Sequence, residues 1–178
     1  LNMVAFILPA NSATGGYEID NSMRFNDASA NRFQRTPSSG GSRNTFTYSC
    51  WVKLSDIGNR STLLHTAGND HNTLFEFIIH QDGYLMLGLQ SFNVFETDMV
   101  FRDPLAWYHI VLSIDSSQGS SDNRTKLYVN GNRLDVNGIS RANNKNSISE
   151  NFNFGVGVSG TAMALGSQAG GGDPIGGY

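Results

Sequence analysis

Apolar and polar side chains alternate with a period of two along most of this chain, the spacing of strands that bury one face. The clearest run is Thr45 to Leu54. Phe46, Tyr48, Cys50, Val52 and Leu54 fall on one side of it, and Thr45, Thr47, Ser49, Trp51 and Lys53 on the other. Asn72–Gln81 and Tyr84–Gln90 flank Asp82-Gly83, a dipeptide that supplies the positive φ angles of a tight type I′ hairpin turn. The same device stands at Asn130-Gly131, between Thr125–Val129 and Asn132–Val136. Trp107–Asp115 predicts a further strand, entered through the turn at Asp103-Pro104. Phe152–Val158 and Ala162–Gly166 are fainter candidates. No eleven-residue window carries the i, i+3, i+4, i+7 repeat of an amphipathic helix.

Short strands with frequent turn signals predict an all-β protein, a two-sheet antiparallel β-sandwich or barrel. Length bounds it to one domain: 178 residues hold a sizeable core without staples. Thr36–Asn44, Ser116–Asn123 and Asn137–Asn151 read as surface loops. Charged residues make up only 15 %, and 20 Gly, 20 Ser and 19 Asn take their place, which excludes a charged helical bundle. A net charge of −3 gives no basic footprint, so no nucleic-acid partner is expected. The lone Cys50 cannot form an internal disulfide. Met3–Pro9 is apolar but too short for a secretion signal or a membrane span, so no membrane insertion is expected.

Several motifs carry a resemblance. Asn21-Ser22-Met23-Arg24-Phe25-Asn26-Asp27 leads to Arg35-Thr36-Pro37-Ser38. Tyr48-Ser49-Cys50-Trp51-Val52-Lys53 follows, then Phe101-Arg102-Asp103-Pro104-Leu105-Ala106-Trp107-Tyr108-His109-Ile110-Val111, then Asn123-Arg124-Thr125-Lys126-Leu127-Tyr128-Val129-Asn130-Gly131. Together they resemble the concanavalin A-like, laminin G-type jelly-roll domains of virion proteins of tailed bacteriophages, marine ones especially. The strand at 107–111 followed by 127–131 is general to laminin G-like domains, whereas 22–27 and 101–108 are narrower and point to the phage group. The likeness covers Tyr17 to Val136 well and the rest loosely. It implies a jelly-roll sandwich of the concanavalin A-like lectin/glucanase type over residues 17–178, with residues 1–16 an N-terminal arm or first strand. Family members close with a further strand after a Gly-Tyr pair, where this chain stops at Gly177-Tyr178. The sandwich is therefore expected to lack that strand here, through truncation or because a neighbouring subunit supplies it.

The resemblance implies a non-enzymatic structural protein of a phage virion, a capsid decoration, fibre or spike domain on the exterior of capsid or tail. It would act through contacts with other virion proteins and with copies of itself. The alternative is a carbohydrate-binding adhesin that recognises host surface glycan at the loop rim. Tyr84, Phe92 and Phe95 would then stack on sugar rings, with Asn69 and Asp70 reading hydroxyls. Laminin G-type domains often bind calcium at a loop rim, for which Asp70, Asp98 and Asp103 are the candidate ligands; no other cofactor is expected. Val4, Phe6, Ile7 and Leu8 are candidate assembly residues of the arm. Catalysis finds little support. Glu96-Thr97-Asp98 is the carboxylate pair that best matches the same-face spacing of a glucanase, and no third acid follows it. The four histidines have no zinc spacing, and His109 reads as a strand residue with a satisfied hydrogen bond.

Overall fold

The computed structural model describes residues 22–25, 31–55, 57–68, 70, 72–90, 92–134 and 148–169. Among the described residues, ten strands form two sheets. The larger has the order β1 (Phe33–Arg35), β10 (Met163–Leu165), β3 (Ser61–Thr66), β4 (Glu76–Ile79), β5 (Tyr84–Leu89), β6 (Phe92–Val100). The smaller has the order β2 (Thr45–Val52), β7 (Tyr108–Asp115), β8 (Thr125–Val129), β9 (Asn132–Leu134). Every neighbouring pair is antiparallel, and the one helix among the described residues, α1 (Ser121–Arg124), is a single turn inside a loop. This is an all-β, two-sheet antiparallel sandwich of the jelly-roll type.

The period-two pattern places the core between the sheets. β2 turns Phe46, Tyr48 and Cys50 inward, and β7 turns Tyr108, Ile110, Leu112 and Ile114 inward in the same layer, with Leu127 and Val129 of β8. Phe77, Ile79, Leu85, Leu87, Leu89 and Phe95 meet them from the larger sheet. The two layers are joined by rings. Phe46 meets Phe75 and Phe154 edge-on at 5.9 Å, and Tyr48 meets Phe77 at 5.8 Å. Burying each such side chain stabilises the fold by roughly 1.5–3 kcal/mol.

Chain direction fixes which loops share an end of the sandwich. The connections 67–75 and 90–91 lie at one end of the larger sheet, and 80–83 and 101–107 at the other. Strand β5, six residues long, holds these ends roughly 20 Å apart.

Three expectations are corrected. The Asp82-Gly83 hairpin does form, but only Gly83 has positive φ, at 86°. Gly83 N–H donates to His80 O at 2.7 Å and His80 N–H to Tyr84 O at 2.7 Å, giving a three-residue loop with a bulge at the glycine. Asn130 and Gly131, with φ of 50° and 79°, make the expected two-residue type I′ turn. Phe152–Val158 is not a strand: left-handed backbone at Asn151 and Gly157 turns it back, and Phe154 is buried as a plug. Finally, β1, β3 and β6 have no counterpart among the predicted strands. β3 is buried on both faces, so Ser61–Thr66 shows no alternation, and β6 is interrupted where its register with β5 shifts.

Candidate contact surface

On the smaller sheet, the side chains that alternate away from the core are Thr45, Thr47, Ser49 and Trp51 of β2, His109, Val111 and Ser113 of β7, Lys126 and Tyr128 of β8, and Arg133 of β9. Register places Trp51 opposite His109, and their rings stack at 4.8 Å with an interplanar angle of 17°. His109 Nε2 lies 3.0 Å from Ser49 Oγ, and the His109 N–H donates to Asn130 Oδ1 at 2.8 Å. The expected satisfied hydrogen bond of His109 is therefore present, and it fixes the imidazole beside the indole. Trp51 is nonetheless 53 % exposed. Trp107, the residue just ahead of β7, is 50 % exposed, and Leu105 in the turn before it 79 %. Three large apolar side chains thus stand in water around one end of this face; among the described residues Phe33, at 53 %, is the one other aromatic ring exposed to this degree. Clusters of this kind mark contact surfaces, where Trp is among the residues that carry most binding energy.

The residues proposed for glycan and calcium do not gather. Phe95 is 2 % exposed and meets Phe77 edge-on in the core, and Tyr84 is 7 % exposed and stacked on His80 at 4.4 Å. Neither ring is open to a sugar. Phe92 is half-buried against the core and lies near the 90–91 end, whereas Tyr84 begins β5 at the opposite end. The three aromatics therefore form no shared platform, because period-two burial claims Phe95 and the strand length separates the other two. Asp70 caps its own turn: its Oδ1 accepts from Asn72 N–H at 2.8 Å, and its carbonyl from Thr73 and Leu74 N–H. Asp103 likewise accepts from Leu105 N–H at 2.8 Å. Asp70 and Asp103 sit at opposite ends of the larger sheet, and Asp98 is exposed on β6 toward Asp103. One ion cannot bridge that separation. Among the described residues no group of three His, Cys, Asp or Glu side chains comes together to hold a metal. Asn69, Val4, Phe6, Ile7 and Leu8 lie outside the described residues.

The carboxylates on the outer face of the larger sheet have structural duties. Glu96 Oε1 accepts from Asn93 Nδ2 at 2.7 Å. Glu76 Oε1 accepts from Arg60 at 2.8 Å and lies 3.5 Å from His65 Nε2, while Ala169 N–H donates to His65 Nδ1. Burial alone would push the Glu76 carboxyl up, but the hydrogen bond from His65 and the charge of Arg60 outweigh it, and the group sits below its ordinary value. A glycosidase acid needs the opposite shift. Burial pushes the Cys50 thiol up, the reverse of the shift that activates a cysteine nucleophile.

A folded carboxyl held below its unfolded value stabilises the protein above that unfolded value, near ~4.3 for Glu, and the contribution is lost as pH falls through the folded one. Urea midpoints taken from pH 6 to pH 3 should therefore drop less steeply for Glu76→Gln than for the natural chain. Parallel curves would show that the clamp contributes nothing.

The Trp51–His109 pair is not visible in the sequence alone. Half of its signal is there, because alternation sets Trp51 on the polar side of its strand, where an indole is out of place. What is lacking is the register that sets His109 opposite.

Comparison with curated proteins returns no match. A family model described as the concanavalin A-like lectin/glucanases superfamily, of laminin G type, matches residues 26–176. Together with the two antiparallel sheets, that match across most of the chain makes this protein a laminin G-type member of the concanavalin A-like lectin/glucanase superfamily.

Proposed function

We propose that the chain is a non-enzymatic contact domain of a bacteriophage virion, a decoration, fibre or spike element on the exterior of capsid or tail. Membership of this superfamily supports a carbohydrate-binding or protein-binding role. The observation that carries the contact reading is the exposed cluster of Trp51, Trp107 and Leu105 on a rigid two-sheet body. The virion assignment is supported by the narrower motifs, Ser22–Asp27 and Phe101–Tyr108. Under this reading the aromatic end of the smaller sheet packs on a neighbouring virion protein, and the neutral polar loops face outward. Mass spectrometry of purified particles should find the chain, and imaging should place it on the outer surface. Particles that lack it would end the virion assignment.

A second reading, a glycan-binding adhesin, is favoured by the Trp51–His109 stack. An exposed indole beside an imidazole and the Ser49 hydroxyl offers an apolar plate and hydrogen-bonding groups at one spot, which is what a pyranose ring requires. The site differs from the loop rim first expected. On a glycan array run with and without calcium, the natural chain should give signals that Trp51→Ala lowers at least about tenfold, a loss of ~1.4 kcal/mol. Silence of the natural chain on every glycan would leave protein contact as the role.

A further inference from the structure

Strand β2 stacks on β3 and β4: Tyr48 donates its hydroxyl hydrogen to Leu63 O at 3.0 Å and meets Phe77 edge-on at 5.8 Å. The larger sheet runs on past that point through β10 and β1, while among the described residues no strand pairs with the far side of β2. Two strands spaced by roughly 4.8 Å make an overhang of about 10 Å. Its inward face carries Phe33 and Arg35 of β1, opposite Leu165 and Met163 of β10. With Tyr48 and Leu64 these side chains line an apolar groove of about 400 Å³. Phe33 stays exposed there, although Phe25 meets its ring edge-on at 6.0 Å. Phe46, Tyr48 and Cys50 face inward on β2 yet are only half-buried. Backbone also borders the groove. Asn44 O accepts from Ser116 N–H at 2.8 Å, and antiparallel alternation from that pair turns the N–H and C=O of Thr47, Ser49 and Trp51 away from β7. Positive charge gathers at the same edge. Arg32 and Arg35 flank Phe33, and Arg24 adjoins Phe25. All three are exposed, and among the described residues no carboxylate pairs with any of them.

We propose that the β2 edge and its groove bind an extended segment of a partner protein by strand addition, one with apolar side chains at alternate positions and acidic residues at its ends. The segment's backbone pairs with Thr47, Ser49 and Trp51. Its side chains opposite Phe46, Tyr48 and Cys50 turn into the groove, and its carboxylates meet the three arginines, a local excess of positive charge in a chain of net charge −3. A second copy does not fit. Two β2 edges paired antiparallel would stand roughly 4.8 Å apart, and overhangs of about 10 Å from either side would occupy the same space. The site uses the edge of β2 rather than the outward face that carries the Trp51 ring, and it does not depend on that face being a contact surface.

Hydrogen exchange of the full chain tests this with a synthetic Val-Thr-Val-Thr-Val peptide flanked on each side by two aspartates, and with the same core flanked by lysines. At about 1 mM of the acidic peptide, the amides of Thr47, Ser49 and Trp51 should exchange about tenfold slower, as a dissociation constant near ~0.1 mM requires. Those of Ile110, Leu112 and Leu127 should stay unchanged, and the lysine peptide should protect at least about threefold less. Thr47→Pro removes one outward N–H and no bond to β7, so the chain should fold yet lose the protection at Ser49 and Trp51. Should that variant fail to fold, Arg35→Glu, on an exposed side chain, should narrow the difference between the two peptides. Absence of protection by the acidic peptide overturns the proposal, and so does equal protection by both. β2 amides already as slow as that of Ile110 in the chain alone also overturn it, as does protection that grows with protein concentration when no peptide is present.

Discussion

Phe77→Ala should lower stability by about 3–5 kcal/mol, a large part of the ~5–15 kcal/mol that holds a domain of this size together. Phe77 is fully buried on β4 and touches both layers, meeting Tyr48 of the smaller sheet at 5.8 Å and Phe95 of its own at 6.5 Å. Alanine would remove the ring and leave a space that neither sheet can close without sliding. Tyr48 also donates its hydroxyl hydrogen to Leu63 O at 3.0 Å, so it is tethered and cannot tip into the gap. Equilibrium urea unfolding would measure the loss, and Phe77→Leu should cost less. A loss under ~1 kcal/mol would mean that the two sheets do not pack through this ring.

The second large effect concerns backbone rather than ring packing. The strap from Asp70 to Phe75 presses on two glycines. A Cβ on Gly68 would lie 1.9 Å from the Thr73 carbonyl carbon, and one on Gly155 2.2 Å from the Thr73 oxygen. Thr66 ties the strap down, its Oγ1 donating to Thr73 O and accepting from Phe75 N–H at 2.8 Å. Phe75 then enters the core as part of the ring cluster with Phe46 and Phe154. Because the obstacle is backbone, Gly68→Ala or Gly155→Ala should each destabilise by about 1–3 kcal/mol or more through overpacking. Gly119→Ala, with nothing within 4 Å of its added carbon, should change stability by less than ~0.5 kcal/mol. Thermal unfolding of the three variants would separate them, and equal midpoints would contradict the close approach.

Much of the sandwich could be read from residue order. Thr45–Val52, Thr125–Val129 and the Asn130-Gly131 turn follow from side-chain alternation and from backbone conformations that few residue types adopt. β3 could not be read in this way, because a strand buried on both faces has no polar side to alternate with. The candidate site was harder still. Phe95 looks like a loop-rim aromatic until the register of β5 with β6 places it within a strand, and Tyr84, at the head of a strand legible from alternation, is closed off by the His80 ring stacked on it. Asp70 has the chemistry of a ligand, yet its Oδ1 and its backbone carbonyl are taken up by the turn it caps. The contact surface depends on which residue of β7 stands across from Trp51. That is a long-range fact, set by the sheet as a whole and not by any local pattern.

The claim that the Trp51–His109 end of the smaller sheet is where this domain meets its partner is tested most directly by oxidative footprinting. Trp51 and Trp107 would be compared in the isolated chain and in intact particles. Both should oxidise readily in the isolated chain, and Trp51 should be strongly shielded in the particle. Equal oxidation of Trp51 in the two states would contradict the account.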